Sequence, residues 1–304
     1  MKKMKALSAF CAALLLVGTV GCGTAAVKGN ETDTAAVYAA LNKLSDCTSC
    51  TSLQIAKRTD SITADGITYT YRGVTETEMD VLLEPSVKMK TTTRATMDYV
   101  YEGETLEQGS ISYIVPENGG YSEYYYDGSD WYTVFADVPD AMDYVSIGDF
   151  ALVYVTEAMS FEKGKTETVN GYTADHYRAA LAGDVLVDYL KDGGYLSSIS
   201  TMSENQQNKI CENLVKDLDA LTVSVWIDTV SGYPVCFELD MTDILVDLET
   251  SIANTLGNRT SQSDWAITEY SMRMELSNFN AIDDIVPPPE TADAIVYTAE
   301  DFEQ

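Results

Sequence analysis

His176 is the only histidine in this 304-residue chain, which removes most Ser-His-Asp, Cys-His and multi-histidine metal designs as its chemistry. It stands in Asp175-His176-Tyr177 of a predicted strand, where a surface or interface position is expected. Cysteine is the next reactive type. Cys11 and Cys22 belong to the N-terminal leader described below, which leaves Cys47, Cys50, Cys211 and Cys236. Four thiols in an exported protein imply two disulfides, and of the three connectivities Cys47–Cys50 with Cys211–Cys236 is the one expected. Cys47-Thr48-Ser49-Cys50 also has the spacing of a redox motif. Such motifs open a helix in an α/β pattern, whereas this one follows a predicted helix and precedes strands. Acid pairs are uninformative in a chain with 48 Asp and Glu. No phosphate loop, dinucleotide fingerprint or calcium loop is present, and Asp127-Gly128-Ser129-Asp130 reads as a turn. No cofactor and no metal is expected, and the chain is not expected to be an enzyme.

What the chain does spend is tyrosine and methionine, twenty and eleven residues respectively. Methionine fits irregular apolar shapes, and tyrosine adds a broad ring with one polar tip. Tyr69, Tyr71, Met79, Met89, Met97, Tyr99, Tyr113, Val225, Phe237, Leu239, Tyr270, Met272 and Met274 are the candidate lining of a hydrophobic cavity. The competing reading is an ordinary core, in which the same residues pack beneath helices.

The elements that must position them are strands. From Ile67 to Tyr101 two long runs alternate apolar and polar residues about a turn at Glu84-Pro85-Ser86. Ile67, Tyr69, Tyr71, Met79 and Val81 share one face, and Val87, Met89, Ala95, Met97, Tyr99 and Tyr101 continue it. A run of fifteen extended residues spans roughly 50 Å, beyond the usual strand. A helix near residues 35–45, with Thr34 as its cap and Val37, Leu41 and Leu44 as its stripe, and a strand over 52–57 precede these runs. Strands follow over 109–115, 121–126 and 131–135, with Asn118-Gly119 suited to a hairpin turn. Further on come a short helix around 149–159, a strand over 172–181, a short helix over 184–191 and a helix over 203–218. Strands over 221–228 and 235–241, a helix over 244–256 and a strand over 267–279 complete the set. Antiparallel groups with helices set between them make the class α+β.

Lys2, Lys3 and Lys5 followed by an apolar stretch from Ala6 to Val20 form an export signal, closed at once by Gly21-Cys22. The small residues before Cys22 resemble a bacterial lipobox, with Thr19 where that pattern usually has Leu. Cys22 is therefore expected to be lipidated and to hold the protein on the outer face of a Gram-positive cytoplasmic membrane. The domain plan is a signal over 1–21, a tether over 22–34, a single domain over 35–289 and an acidic tail over 290–304. The tail begins where Pro287-Pro288-Pro289 ends the compact fold. Removing a leader that carries three lysines and no acid moves the net charge from -29 to about -32. So acidic a chain repels nucleic acid and anionic headgroups.

The order of these elements, with Tyr126-Asp127-Gly128-Ser129-Asp130-Trp131-Tyr132, Asn170-Gly171-Tyr172, Val225-Trp226-Ile227-Asp228 and Gly232-Tyr233-Pro234-Val235, resembles the LolA/LolB and LppX/LprG superfamily of lipoprotein carriers. The resemblance covers most of residues 35–289. It implies a strongly curved antiparallel sheet, an incomplete β-barrel, with helices packed on its concave side and a hydrophobic cavity between them. It also implies a non-enzymatic role in holding or transferring a lipid or other apolar small molecule. The alternative is a surface-interaction or envelope-stress-sensing lipoprotein without a ligand cavity.

Overall fold

The alternation around Ile67–Tyr101 folds as the centre of one large sheet. In the computed structural model the described residues are 29–64, 66–136, 146–155, 159–181, 203–217, 221–256 and 264–297. The leader, Cys22 and the helix expected over 184–191 lie outside them. Twelve strands form a single sheet: β1 (Ser49–Ala64), β2 (Ile67–Leu82), β3 (Lys88–Tyr99), β4 (Glu104–Glu117), β5 (Gly120–Tyr126), β6 (Trp131–Ala136), β7 (Phe161–Val169), β8 (Tyr172–Leu181), β9 (Leu221–Asp228), β10 (Pro234–Asp240), β11 (Asp264–Ser277) and β12 (Ile295–Tyr297). Their order is β12-β6-β5-β4-β3-β2-β1-β11-β10-β9-β8-β7, so the sheet is open and curved rather than closed. Two antiparallel meanders, β1 to β6 and β7 to β11, meet where β1 pairs with β11. With its helices this is the α+β incomplete barrel expected.

Turn chemistry sets the hairpins. Asn118 and Gly119 both have positive φ, 49° and 86°, as do Asn170 and Gly171 at 53° and 83°, the pairs that tight hairpins favour. At Asp127 the carboxylate accepts from the Ser129 amide (2.9 Å), the Ser129 hydroxyl (2.8 Å) and the Asp130 amide (3.2 Å). Its oxygens serve the turn itself.

Helix α1 (Glu31–Ser45) begins four residues before the expected start at 35, inside the expected tether. Asn30 caps it, its side chain accepting from the Thr32 amide at 2.9 Å, with Glu31 and Asp33 in the first turn. Thr34 instead accepts from the Phe161 amide at 2.9 Å and so fastens the helix to β7. Val37, Ala40 and Leu44 are buried against the inner faces of β9 and β10. The 3-10 turn η1 (Ile147–Val153) lies against the end of α1. A β-carbon at Gly148 would fall 2.0 Å from Ser45 Oγ, so only glycine allows that approach. Helix α2 (Glu204–Asp217) packs on α3 (Thr242–Leu256), which packs on β11.

The expected acidic tail is a correction. Past Ser277 the chain crosses the outer face of β1 to β5, passes through a second 3-10 turn, η2 (Pro289–Asp293), and adds β12 in parallel to β6. The three prolines therefore form part of a strap, and the compact fold continues to Tyr297. Asn280 anchors the strap's start at φ 55°. Its Oδ1 accepts from the Thr48 amide (2.8 Å) and the Thr48 hydroxyl (3.0 Å), while Nδ2 donates to the Tyr233 hydroxyl (3.0 Å). Asn280→Ala should lower unfolding free energy by about 2 kcal/mol, since it removes these bonds and places a side chain without local hydrogen bonding at positive φ. A denaturant midpoint unchanged from the parent would contradict this.

The expected disulfides are also corrected. None of Cys47, Cys50, Cys211 and Cys236 forms a disulfide, and all four are buried. Cys236 faces outward from β10, packed with Ala174, Trp226 and Val235, whereas Cys211 rides on α2, which stacks on α3 on the inner side. The sheet separates them. Cys47 Sγ donates to the Ser49 carbonyl at 2.9 Å. Burial, with Cys47 nearby, pushes the Cys50 thiol up to about 12, and burial does the same for Cys236. Protonated thiols of this kind are poor nucleophiles.

Candidate functional site

Register decides which face each candidate residue occupies. Cys50, Ser52, Gln54, Ala56, Arg58 and Asp60 of β1 lie opposite Val81, Met79, Thr77, Thr75, Gly73 and Tyr71 of β2. In β3 the same face continues through Met89, Thr91, Thr93, Ala95, Met97 and Tyr99, and in β11 through Leu276, Met274, Met272 and Tyr270. From β11 it passes to Phe237 and Leu239, then to Val225 and Val223. Twelve of the thirteen candidate residues thus share the inner face: Tyr69, Tyr71, Met79, Met89, Met97, Tyr99, Val225, Phe237, Leu239, Tyr270, Met272 and Met274.

Tyr113 is the exception. It pairs with Lys90 and faces outward, where it lines a hollow of about 460 Å³ beneath the strap with Thr51, Asp80, Lys90 and Ile285. Its strand's parity follows from the β3–β4 turn, at Tyr99↔Glu104, which the apolar pattern of 109–115 does not reveal.

The shared face has two unlike halves. Near α1 it is a filled core: Val81, Val225, Phe237 and Met274 have no accessible surface, Leu239 is buried, and Met79, Met89 and Met272 pack against this cluster. At the far end of β2 to β4 the face is open, with Met97 40%, Leu106 56% and Tyr101 58% exposed. Tyrosines stand there in pairs across the strands, Tyr69 with Tyr101 at 4.8 Å between ring centroids and Tyr71 with Tyr99 at 5.5 Å. Between the halves the floor is short: Ala56, Gly73, Thr75, Thr77, Thr93 and Ala95, all half-buried. Met97 Cε lies 3.4 Å from the point where a Gly73 β-carbon would stand. Tyr270 borders the open half, its amide donating to Thr242 Oγ1 at the start of α3.

His176 is not on this face, and it is not at the surface. It is 5% exposed on the outer side of β8, stacked on Trp226 at 4.4 Å and 3°. Glu167 accepts from Trp226 Nε1 at 2.8 Å and lies 3.7 Å from His176 Nδ1, while His176 Nε2 has no partner. Burial and then Arg178 depress the imidazole below its ordinary 6.5; Lys165 acts the same way, and Glu167 and Glu238 oppose them. A group whose folded pKa is depressed stabilises the fold above its unfolded pKa, and that stability is lost as pH falls from about 6.5 towards the folded value. The unfolding midpoint should therefore drop between about pH 7 and pH 5, and His176→Phe, which keeps the stack, should flatten that part of the profile. A parent profile flat over this window would refute the assignment.

No protein-family profile and no curated protein matches the chain. Solved structures do. The chain is similar to the Mycobacterium tuberculosis lipoprotein LppX, at 13% identity over 85% of this chain and 100% of that one, with a TM-score of 0.36. It is similar also to LprF from Mycobacterium bovis, at 11% identity over 86% and 99%, TM-score 0.42. A putative outer membrane lipoprotein-sorting protein domain from Vibrio parahaemolyticus matches at 10% identity over 79% and 90%, TM-score 0.20. At such scores nothing about a ligand passes from them to this chain, and the functional argument rests on its own side chains.

Proposed function

We propose that the protein is a lipid-anchored binding protein, held through Cys22 on the outer face of the cytoplasmic membrane, that receives a lipid or similar apolar ligand on the open half of its inner face. The observation that carries this reading is the contrast within one continuous face. Where α1 covers it, the face is packed solid; beyond, it presents Met97, Leu106 and four tyrosines over a floor of short side chains. Folding does not require exposed apolar side chains at inward-facing positions, and a contiguous patch of them marks a binding surface. The ligand site extends from Tyr69, Tyr71, Met97 and Tyr99 to Tyr270; the buried Val225, Phe237, Leu239 and Met274, with the partly buried Met79, Met89 and Met272, support it from beneath α1.

Retention needs no reactive group. Each buried methylene contributes about 0.8 kcal/mol, so a long acyl chain supplies on the order of 10 kcal/mol before ordering costs. His176 is engaged with Trp226 and the Cys50 and Cys236 thiols are held protonated, which favours binding over catalysis. The test is native mass spectrometry and organic extraction of residues 23–304, followed by titration with hexadecanol. Copurified lipid or saturable uptake is expected; a ligand-free protein indifferent to the alcohol overturns the reading.

A further inference from the structure

Among the described residues, the strands of the open half carry one cation at an inner-face position. Arg58 lies there in β1, between Gly73 of β2 and Tyr270 of β11. Among the described residues it is the only Lys or Arg at an inner-face position of β1 to β4 or β11. Its guanidinium holds Asp60, two residues on and on the same face, through Nε at 2.8 Å and Nη2 at 3.0 Å. Even so paired, the Arg58 side chain is 42% exposed, against 20% for Asp60. Burial raises the Tyr270 phenol and the Arg58 charge pulls it back down, which places the guanidinium within electrostatic reach of that ring. Asp60 in turn stands opposite Tyr71, and Gly73 opposite Met97, so the ion pair is set among the side chains of the open patch.

A hydrocarbon ligand laid over this patch would strip water from an ion pair, and such desolvation is costly unless new partners replace the lost hydration. A ligand that brings its own oxyanion avoids the penalty. The planar guanidinium has five N–H donors in a fork that fits carboxylate and phosphate oxygens. We propose that the open site takes an anionic amphiphile: its carboxylate or phosphate head binds Arg58, and its chain lies over Gly73 along Met97 and Leu106. Asp60 occupies the guanidinium in the free protein and competes with the incoming head. This rests on the reading of the open half as a ligand site.

The experiment uses the Cys22→Ala chain, otherwise full length, and three probes with the same alkyl length: hexadecanol, palmitate and hexadecyl phosphate. At least one anion is expected to bind about tenfold or more tightly than the alcohol, the worth of one charge-assisted hydrogen-bonded contact, with the advantage shrinking as salt is raised. The anion preferred distinguishes a carboxylate from a phosphate head. Arg58→Gln should abolish the preference for the anions over the alcohol, and a circular dichroism spectrum and melting temperature close to the parent's report that the chain is still folded. Asp60→Asn keeps the cation, removes its competitor and should tighten anion binding, so it carries the test should Arg58→Gln fail to fold. Equal binding of all three probes by the parent, or an anion preference that survives Arg58→Gln, overturns the proposal while leaving the apolar site standing. Binding of none of them overturns the site itself.

Discussion

Phe237→Ala is expected to cost about 3–5 kcal/mol of unfolding free energy, the range for removing a fully buried aromatic side chain. Phe237 has no accessible surface, sits between Met274 and Val225 on the inner face of β10, and has the Tyr154 ring at 5.6 Å. Its neighbours come from β9, β11 and the end of η1, which are held by their own ladders and cannot close over the gap. For a domain of this size each kcal/mol moves the melting temperature by about 2–4 °C, so a drop of roughly 10 °C is the expected reading. The same truncation at Leu106, which is 56% exposed, should cost under about 1 kcal/mol, because little of that side chain leaves water on folding. Equal losses at the two positions would mean that the face is not divided as described.

Met97→Asp should produce the opposite pattern. Met97 is 40% exposed, so a carboxylate there remains hydrated in the free protein and the melting temperature should hold within a few degrees. Covering that carboxylate with an alkyl chain would desolvate a charge without a partner. Affinity for hexadecanol is expected to fall by about tenfold or more. Phe237→Ala should keep its hexadecanol affinity at temperatures where it remains folded. Binding that survives Met97→Asp intact would move the ligand away from the tyrosine end of the sheet.

Much of the sheet was legible because its signal is local. The parity of Ile67 to Tyr101 runs through β2 and β3 and across their turn without a slip, and the register keeps Tyr71, Met97 and Tyr99 on the face they were assigned. β9 and β10 read well for the same reason. β1 was seen as only 52–57, since Arg58-Thr59-Asp60-Ser61 interrupts any apolar alternation; those residues are strand because β2 and β11 pair with them on both sides. The role of Arg58 was lost with them. Division of the inner face into filled and open halves depends on where α1 lands, a contact between residues 31–45 and strands far along the chain, and no periodicity carries that information. β12 is three residues long and extends the sheet only because the strap delivers it to β6. Tyr113 and the Cys211–Cys236 pair failed alike: each needed the side of the sheet, which for β4 and β10 is set by pairing rather than by composition.

The pairing of β1 with β11 also has a consequence for how the chain matures. Each meander is built from neighbouring segments and needs only short loop closures, the kind of contact that forms fast. Their junction is different, because Thr51 finds its partner at Ser277. A chain that emerges N-terminus first presents β1 to β6 before β11 is available. Through that interval β1 has one row of amide and carbonyl groups unpaired over sixteen residues, which is an aggregation hazard. Arg58-Thr59-Asp60-Ser61, polar and charged in the middle of that strand, blunts it, so the residues that hide β1 from a reading of its sequence also guard its edge until the second half arrives.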